Sequence, residues 1–307
     1  MTKFCVVGSL NMDMVTRVER FPQPGETISG LSFNIFPGGK GANQAVALAR
    51  LGARVEMVGA LGDDVLGNRY AEILAELHIG RSAIARESGV STGTASIEVS
   101  EAGENHIVIV AGANALVAPA KVVAARPIIE SCSSLLLQLE IPMDSVLEAA
   151  RIAKAAGLAV ILDPAPAREL PEALYPLVSV ITPNEHEARL LTGENTTTES
   201  GIARAGEKLC ALGAACAIIK AGPRGAFVVE GGRCRRIPGY KVKVVDTTAA
   251  GDSFNAGLAL ALGEGRELAE AVRFANAVGA LSTTREGAQS AMPSLEEARA
   301  FMAAQAT

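Results

Sequence analysis

The sequence predicts an α/β protein built on a mostly parallel sheet with helices on both faces. Three observations predict it. Short β-rich runs alternate with longer amphipathic runs along most of the chain. The strand-like runs are continuously apolar, as strands buried on both faces are. Two stretches break this rhythm: 26–36 and 94–110 alternate in β fashion, and the second has a polar turn at 101–105 and no helix between its arms. They read as a small antiparallel layer added to the main sheet, placed as a lid over a site.

Taken in order, FCVVGSL at 4–10 is a strand. Residues 43–51 have Ala-rich helical spacing and stop at Gly52. Residues 55–61 form a strand and 64–77 a helix, with Asp63 and Asp64 at its positive end. A strand at 135–139 precedes a helix at 143–156 that Gly157 stops. Strands at 159–162 and 178–181 follow, then helices at 185–191 and 199–212 and a strand at 216–219. The 227–237 hairpin, turning at Gly231-Gly232, belongs at an edge of the main sheet. A helix over 252–262 opens a mostly helical C-terminal part. No long linker or repeat intervenes, so 1–307 reads as one unit, with lid segments near 11–36 and 92–112.

Composition narrows the function. Lys and Arg number 28 against 33 Asp and Glu, and no basic block stands out, which argues against nucleic acid or an anionic membrane surface. Five irregularly spaced cysteines, mostly in apolar runs and without CxxC, read as reduced thiols of a cytoplasmic protein. Three scattered histidines offer no zinc pattern. No apolar run reaches the roughly 18 residues of a membrane span, and Asp13 and Arg17 come too early for a signal peptide.

Four motifs could carry chemistry. Asn184-Glu185-His186-Glu187 follows a strand; it suits helix capping and equally a carboxylate site for Mg²⁺ through water. Pro37-Gly38-Gly39-Lys40-Gly41-Ala42-Asn43-Gln44 is a glycine-dense turn opening a helix, neither a Walker A loop nor GxGxxG. It reads as a flexible turn or as close backbone approach to a ligand, with Lys40 and Asn43 supplying hydrogen bonds. Asn11 and Asp13, two residues apart, point the same way in an extended run and suit sugar hydroxyls, though polar residues after a strand are also ordinary loop chemistry. In DTTAAGDSFNAG (246–257), Ala249-Ala250-Gly251 opens a helix whose free N–H groups attract an anion. Asp252 in the same turn could accept a proton from an attacking hydroxyl.

Together with GDD (62–64), TGTASIEVSEAGENHIVIVAGAN (92–114), LLQLEIP (136–142), DPAPARELP (163–171), ITPNEHEA (181–188) and REGAQSAMPS (285–294), these motifs carry a resemblance. From end to end the chain resembles the ribokinase-type carbohydrate kinases (the PfkB family). The resemblance implies a ribokinase-like three-layer α/β/α sandwich with a β lid, commonly a homodimer through the lids. It implies ATP-dependent phosphorylation of D-ribose at its 5-hydroxyl, with another sugar or a nucleoside as the alternative substrate. By the same resemblance Asn11, Asp13, Gly39, Lys40, Asn43 and Glu140 hold the sugar, Asp252 is the base, and Ala249, Ala250 and Gly251 form the anion hole. Asn184 and Glu187 organise Mg²⁺ and the phosphates, while Lys220, Gly222, Arg224, Gly225 and Asn276 border ATP. Asp246, Thr248, Ser282, Arg285 and Gly287 form a monovalent-cation site, for K⁺, mainly with backbone carbonyls. The chain departs from the family at Lys220, where Ser or Thr is common, and at Ala291, where a hydroxyl is common.

Overall fold

The computed structural model describes residues 2–305. The first third holds β1 (Lys3–Val7), β2 (Asn11–Val18), β3 (Ser32–Gly38), α1 (Lys40–Arg50), β4 (Arg54–Gly62), α2 (Val65–Glu76), β5 (Gly80–Glu87), β6 (Gly93–Ser100) and β7 (Asn105–Val110). The middle holds α3 (Pro119–Ala124), α4 (Arg126–Glu130), β8 (Ser134–Leu137), α5 (Met143–Ala155), β9 (Ala159–Leu162), β10 (Val180–Ile181), α6 (Glu185–Thr192) and α7 (Glu199–Ala211). The remainder comprises β11 (Cys216–Lys220), β12 (Ala226–Glu230), β13 (Arg233–Ile237), α8 (Ala250–Gly263), α9 (Leu268–Ser282) and α10 (Leu295–Ala304).

The main sheet has nine strands in the order β13-β12-β11-β10-β9-β8-β1-β4-β5. It is parallel from β11 to β5, and the β12–β13 hairpin closes one edge antiparallel. Covered faces explain the apolar runs. In β1, Phe4 and Val6 enter one core with Leu136 of β8, while Cys5 and Val7 enter the other with Leu135 and Leu137. Strand side chains alternate between faces, so each residue of a central strand needs its own apolar partner. Leu136 is fully buried. We expect Leu136→Ala to cost about 2–5 kcal/mol of stability, measured by denaturant unfolding; a loss under about 1 kcal/mol contradicts this packing.

The second sheet has the order β3-β2-β6-β7. Its outer pairings are antiparallel, as the alternation predicts, but β2 and β6 run parallel. The reason is topological: each continues from a parallel strand of the main sheet, β2 after β1 and β6 after the adjacent β4–β5 unit. The strand expected within 26–36 forms only from Ser32, and 11–18, not assigned a strand from sequence, becomes the central β2.

Several bounds shift for local reasons. The first strand ends at Val7, and residues 8–10 form the connection into β2. Helix α1 begins at Lys40 rather than 43, because Gly39, with φ 87°, turns the chain into it. An added Cβ there would also lie 2.7 Å from the backbone nitrogen of Asn11, so the turn requires glycine. The strand expected at 178–181 shortens to Val180–Ile181, preceded by a 3₁₀ turn, Glu172–Leu177. Strand β5 and helices α3 and α4 lie where no element was expected.

The sheet order places the site. From β1 the chain moves to β4 and β5 on one side, then returns to β8 and continues down the other side. The carboxyl ends of β1 and β8 therefore flank the point where strand order reverses, where α/β sheets leave a crevice for ligands.

Candidate active site

Two clefts lie at these strand ends, lined in part by neighbouring residues, Ala165 and Pro166. One, of about 320 Å³, is lined by Asn11, Ile109, Asn114, Glu140, Pro166 and Arg168 among others. The other, of about 180 Å³, is lined by Lys40, Asp163, Asn184, Glu187, Lys220 and the turn from Thr247 to Asp252. Of the expected sugar ligands Asn11 and Glu140 line the first cleft and Lys40 the second, while most of the expected phosphate ligands line the second.

Asp252 lies in the first turn of α8 and is buried. Its two carboxylate oxygens are held separately: Asn43 Nδ2 donates to Oδ2 and Gln44 Nε2 to Oδ1, each at 3.1 Å. Burial pushes its carboxyl up to about 6, against the lowering influence of Lys40 and the two amides. No side chain caps α8. Its N-cap Ala249 takes the left-handed conformation, φ 57°, unusual for alanine. The uncapped N–H groups and helix dipole of this turn offer an anion site.

Around Asn11, hydrogen bonds fix what the sequence placed nearby. Asn114 Nδ2 donates to Asn11 Oδ1 at 2.7 Å, while Asn114 also exchanges bonds with the backbone of Leu10. Glu140 accepts from the Lys40 backbone N–H at 2.9 Å and from the Ser9 hydroxyl. Burial pushes Asp13 up to about 7, with the Glu140 charge adding to the shift. Burial alone would lower the Lys40 ammonium, but Asp252, Asp163, Glu140 and Glu187 together hold it above its ordinary value.

The Asn184–Glu187 motif is a true capping box: Asn184 Oδ1 accepts from the Glu187 N–H at 2.8 Å and Glu187 Oε2 from the Asn184 N–H at 2.7 Å. The capping reading of that motif holds, and the same box sets Glu187 on the wall of the second cleft. Burial pushes Glu187 up, opposed by Lys220.

Other expected residues are less central. Arg224 pairs with Glu185, and Asn276 donates to the carbonyls of Ile237 and Pro238 at 3.2 and 3.0 Å; neither lines the clefts. Gly222 and Gly225, both at positive φ, shape the turn after β11. Asp246 accepts from Thr248 through its N–H and hydroxyl at 2.9 and 2.6 Å and from the Gly287 N–H at 2.9 Å. These bonds hold its carboxyl below the ordinary range despite burial. Ser282 donates to Gly279 in its own helix, and the Arg285 side chain pairs with Glu297.

Sequence reasoning assigned no role to several residues of the site. Gln44 donates to both Asp252 and Asp163, and Gln138 donates to Gln44. Gln289 joins Asn43 to Tyr70, whose hydroxyl donates to Gly38. Asp163 and Asn114 lie inside motifs that carried the resemblance, and Gln44 adjoins Asn43; that adjacency was the available signal.

A buried carboxylate held at an open helix turn, on the wall of a polar cleft that also carries two lysines, is the arrangement of a phosphotransferase. The family comparison agrees: residues 1–295 match the pfkB family carbohydrate kinases, and the chain belongs to that family. A curated relative, the ribokinase of Haemophilus influenzae, is 42% identical over 97% of both chains. The crystal structure of a Thermotoga maritima ribokinase is similar with TM-score 0.90 at 39% identity, covering 99% of this chain and all of that one. The Arabidopsis thaliana ribokinase complexed with ribose and ATP gives TM-score 0.92 at 33% identity, covering 98% and 99%.

Proposed function

We propose that the protein transfers the terminal phosphoryl group of ATP to the 5-hydroxyl of D-ribose, giving D-ribose 5-phosphate and ADP. The observation that carries this reading is Asp252, held by two amides beside an uncapped helix turn on the wall of the second cleft. The sugar lies against Asn11, Asp13, Gly39, Lys40, Asn43 and Glu140. The hydroxyl oxygen forms its bond to the terminal phosphorus while the bond from phosphorus to the ADP oxygen breaks, its electron pair leaving with ADP. The hydroxyl proton passes to Asp252. Raised to about 6, that carboxylate is a stronger base than an exposed aspartate yet still mainly charged at pH 7. Ala249, Ala250 and Gly251 receive the phosphoryl charge.

Among the described residues no group of three or more His, Cys, Asp and Glu could cage a metal directly. Glu187 has one oxygen committed to the Asn184 N–H, which suits Mg²⁺ held through water, with Asn184 beside the phosphates. Mg²⁺ would neutralise phosphate charge. Lys220, Gly222, Arg224, Gly225 and Asn276 border the nucleotide; Asn276, with its amide N–H groups used on carbonyls, offers only its oxygen. The oxygen-rich loops around Asp246, Thr248, Ser282, Arg285 and Gly287 suit K⁺, a fixed charge beside the anion hole. We place the enzyme in the cytoplasm, acting as one unit over 1–307; residues 1, 306 and 307 lie outside the described residues. The test is an ATP-coupled assay over pentoses, hexoses and nucleosides. Ribose is expected among the best substrates by kcat/KM, and a ranking without it rejects the reading.

The reading includes a homodimer through the lid. Leu31, Phe33, Ile35, Ile107, Val108 and Ile109 are exposed at the two edge strands of the lid sheet, apolar side chains that a partner lid would cover. Sedimentation is expected to give a dimer at micromolar concentration and a monomer for Ile107→Glu/Val108→Glu. A monomeric wild type rejects this part.

A further inference from the structure

We propose that Lys220 contacts the phosphoryl group in transfer and that Asp163 is the positioning residue that aims it there. The inference rests on the kinase reading above and adds a side-chain cation to its anion hole. Lys220 ends β11, and its ammonium lies 2.8 Å from Asp163 Oδ1. The side chains are only 14% and 3% exposed, so both charges are largely removed from water. A Cβ placed on Gly251 would lie 3.2 Å from Lys220 Nζ. The ammonium thus stands over the open first turn of α8, where the phosphoryl charge is received.

Three further features favour an anion ligand over a mere counter-ion. Among the described residues Asp163 is the only hydrogen-bond partner of the Lys220 side chain, so two of its three donors remain for a ligand. The same Asp163 accepts from Gln44 Nε2 at 3.1 Å, which fixes the carboxylate relative to Asp252. The clefts also carry more acid than base. Lys40 lies in the field of Asp252, Asp163, Glu140 and Glu187, whereas Lys220, hydrogen-bonded to Asp163 alone, stands against the Gly251 turn itself. As the phosphoryl group passes from the ADP oxygen to the sugar oxygen, its three outer oxygens carry the charge that Lys220 then meets. The proton still goes to Asp252, and Asp163 takes none.

The test compares wild type, Lys220→Met, Lys220→Arg, Asp163→Asn and Asp163→Asn/Lys220→Met, each checked for folding by thermal melting. Lys220→Met is expected to lower kcat about 30-fold or more and to weaken the β,γ-imido analogue of ATP about tenfold. ADP affinity and the sugar KM should change less than about threefold, because neither ligand carries the transferred group. Lys220→Arg should recover part of the analogue affinity, and Asp163→Asn should lower kcat with a smaller loss of that affinity. The double variant leaves no unpaired buried charge, so it should fold and remain as slow as Lys220→Met. If the double variant returns to within about twofold of wild type, Lys220 only neutralises Asp163 and the inference falls. If wild type phosphorylates ribose but Lys220→Met binds the analogue normally, this inference alone falls. A wild type without sugar-kinase activity overturns the underlying reading instead.

Discussion

Asp252→Asn is expected to lower kcat about 10²–10⁴-fold, roughly 3–5 kcal/mol of transition-state stabilisation, while sugar affinity changes only a few-fold. The substitution preserves shape but removes the proton acceptor. The carboxylate has both oxygens engaged by amide N–H donors, so Asn43 and Gln44 orient it without competing for the proton it takes. Its pH behaviour supplies a second reading of the same group. Burial raises its carboxyl from 3.8 to about 6, so kcat/KM should fall as pH drops through about 6 and level off above. Its contribution to stability has the opposite sign: it is fully present below the ordinary value and is lost as pH rises through about 6. An Asp252→Asn enzyme with near-normal turnover, or a wild type whose kcat/KM is flat from pH 5 to 8, rejects Asp252 as the base.

Asn43→Ala is expected to damage binding and chemistry together, raising the sugar KM about tenfold and lowering kcat about tenfold, with the KM for ATP within twofold. The sequence alone suggested mainly a binding defect. In the structure Asn43 Nδ2 donates to Asp252 while its Oδ1 accepts from Gln289 Nε2 at 3.1 Å. Losing a hydrogen bond to a buried charge costs about 1.5–3 kcal/mol, and here that loss falls on the base. Asn43→Asp should place a like charge beside Asp252, raise its pKa further and move the acid limb of the pH profile upward. Steady-state kinetics at several pH values measures both variants. Equal effects on the KM values for sugar and ATP would overturn the placement of Asn43.

Much of this site was legible because its residues sit at element ends, where short motifs report local geometry. The glycine turn at 38–41, the Asn184–Glu187 box and the small residues at 249–251 each mark a helix start, and helix starts are where the fold presents N–H groups. The misses have a physical pattern. Residues 11–18 fell within the expected lid segment but were not assigned a strand, because NMDMVTRV follows β1 after only three residues and carries polar side chains. It forms because it pairs with two strands, one of them distant in sequence. Strand β5 was missed because an edge strand needs no continuous apolar run: in GRSAIARE every position is exposed or half-buried.

By itself the sequence determined the alternation of covered strands and helices and the extra β layer, and it marked Asp252 and the turn before it as candidates for base and anion site. These follow from periodicity and helix-end chemistry, which act over a few residues. Only the tertiary structure decided which distant groups share one charge environment. Asp163 and Lys220 stand at the carboxyl ends of the parallel strands β9 and β11, and Gln44 of α1 and Asp252 of α8 pack against them there. Hydrogen bonds between residues 57 to 208 positions apart leave no periodic trace in the chain. What Lys220 faces, and whether Asn43 serves the sugar or the base, therefore became readable only after folding.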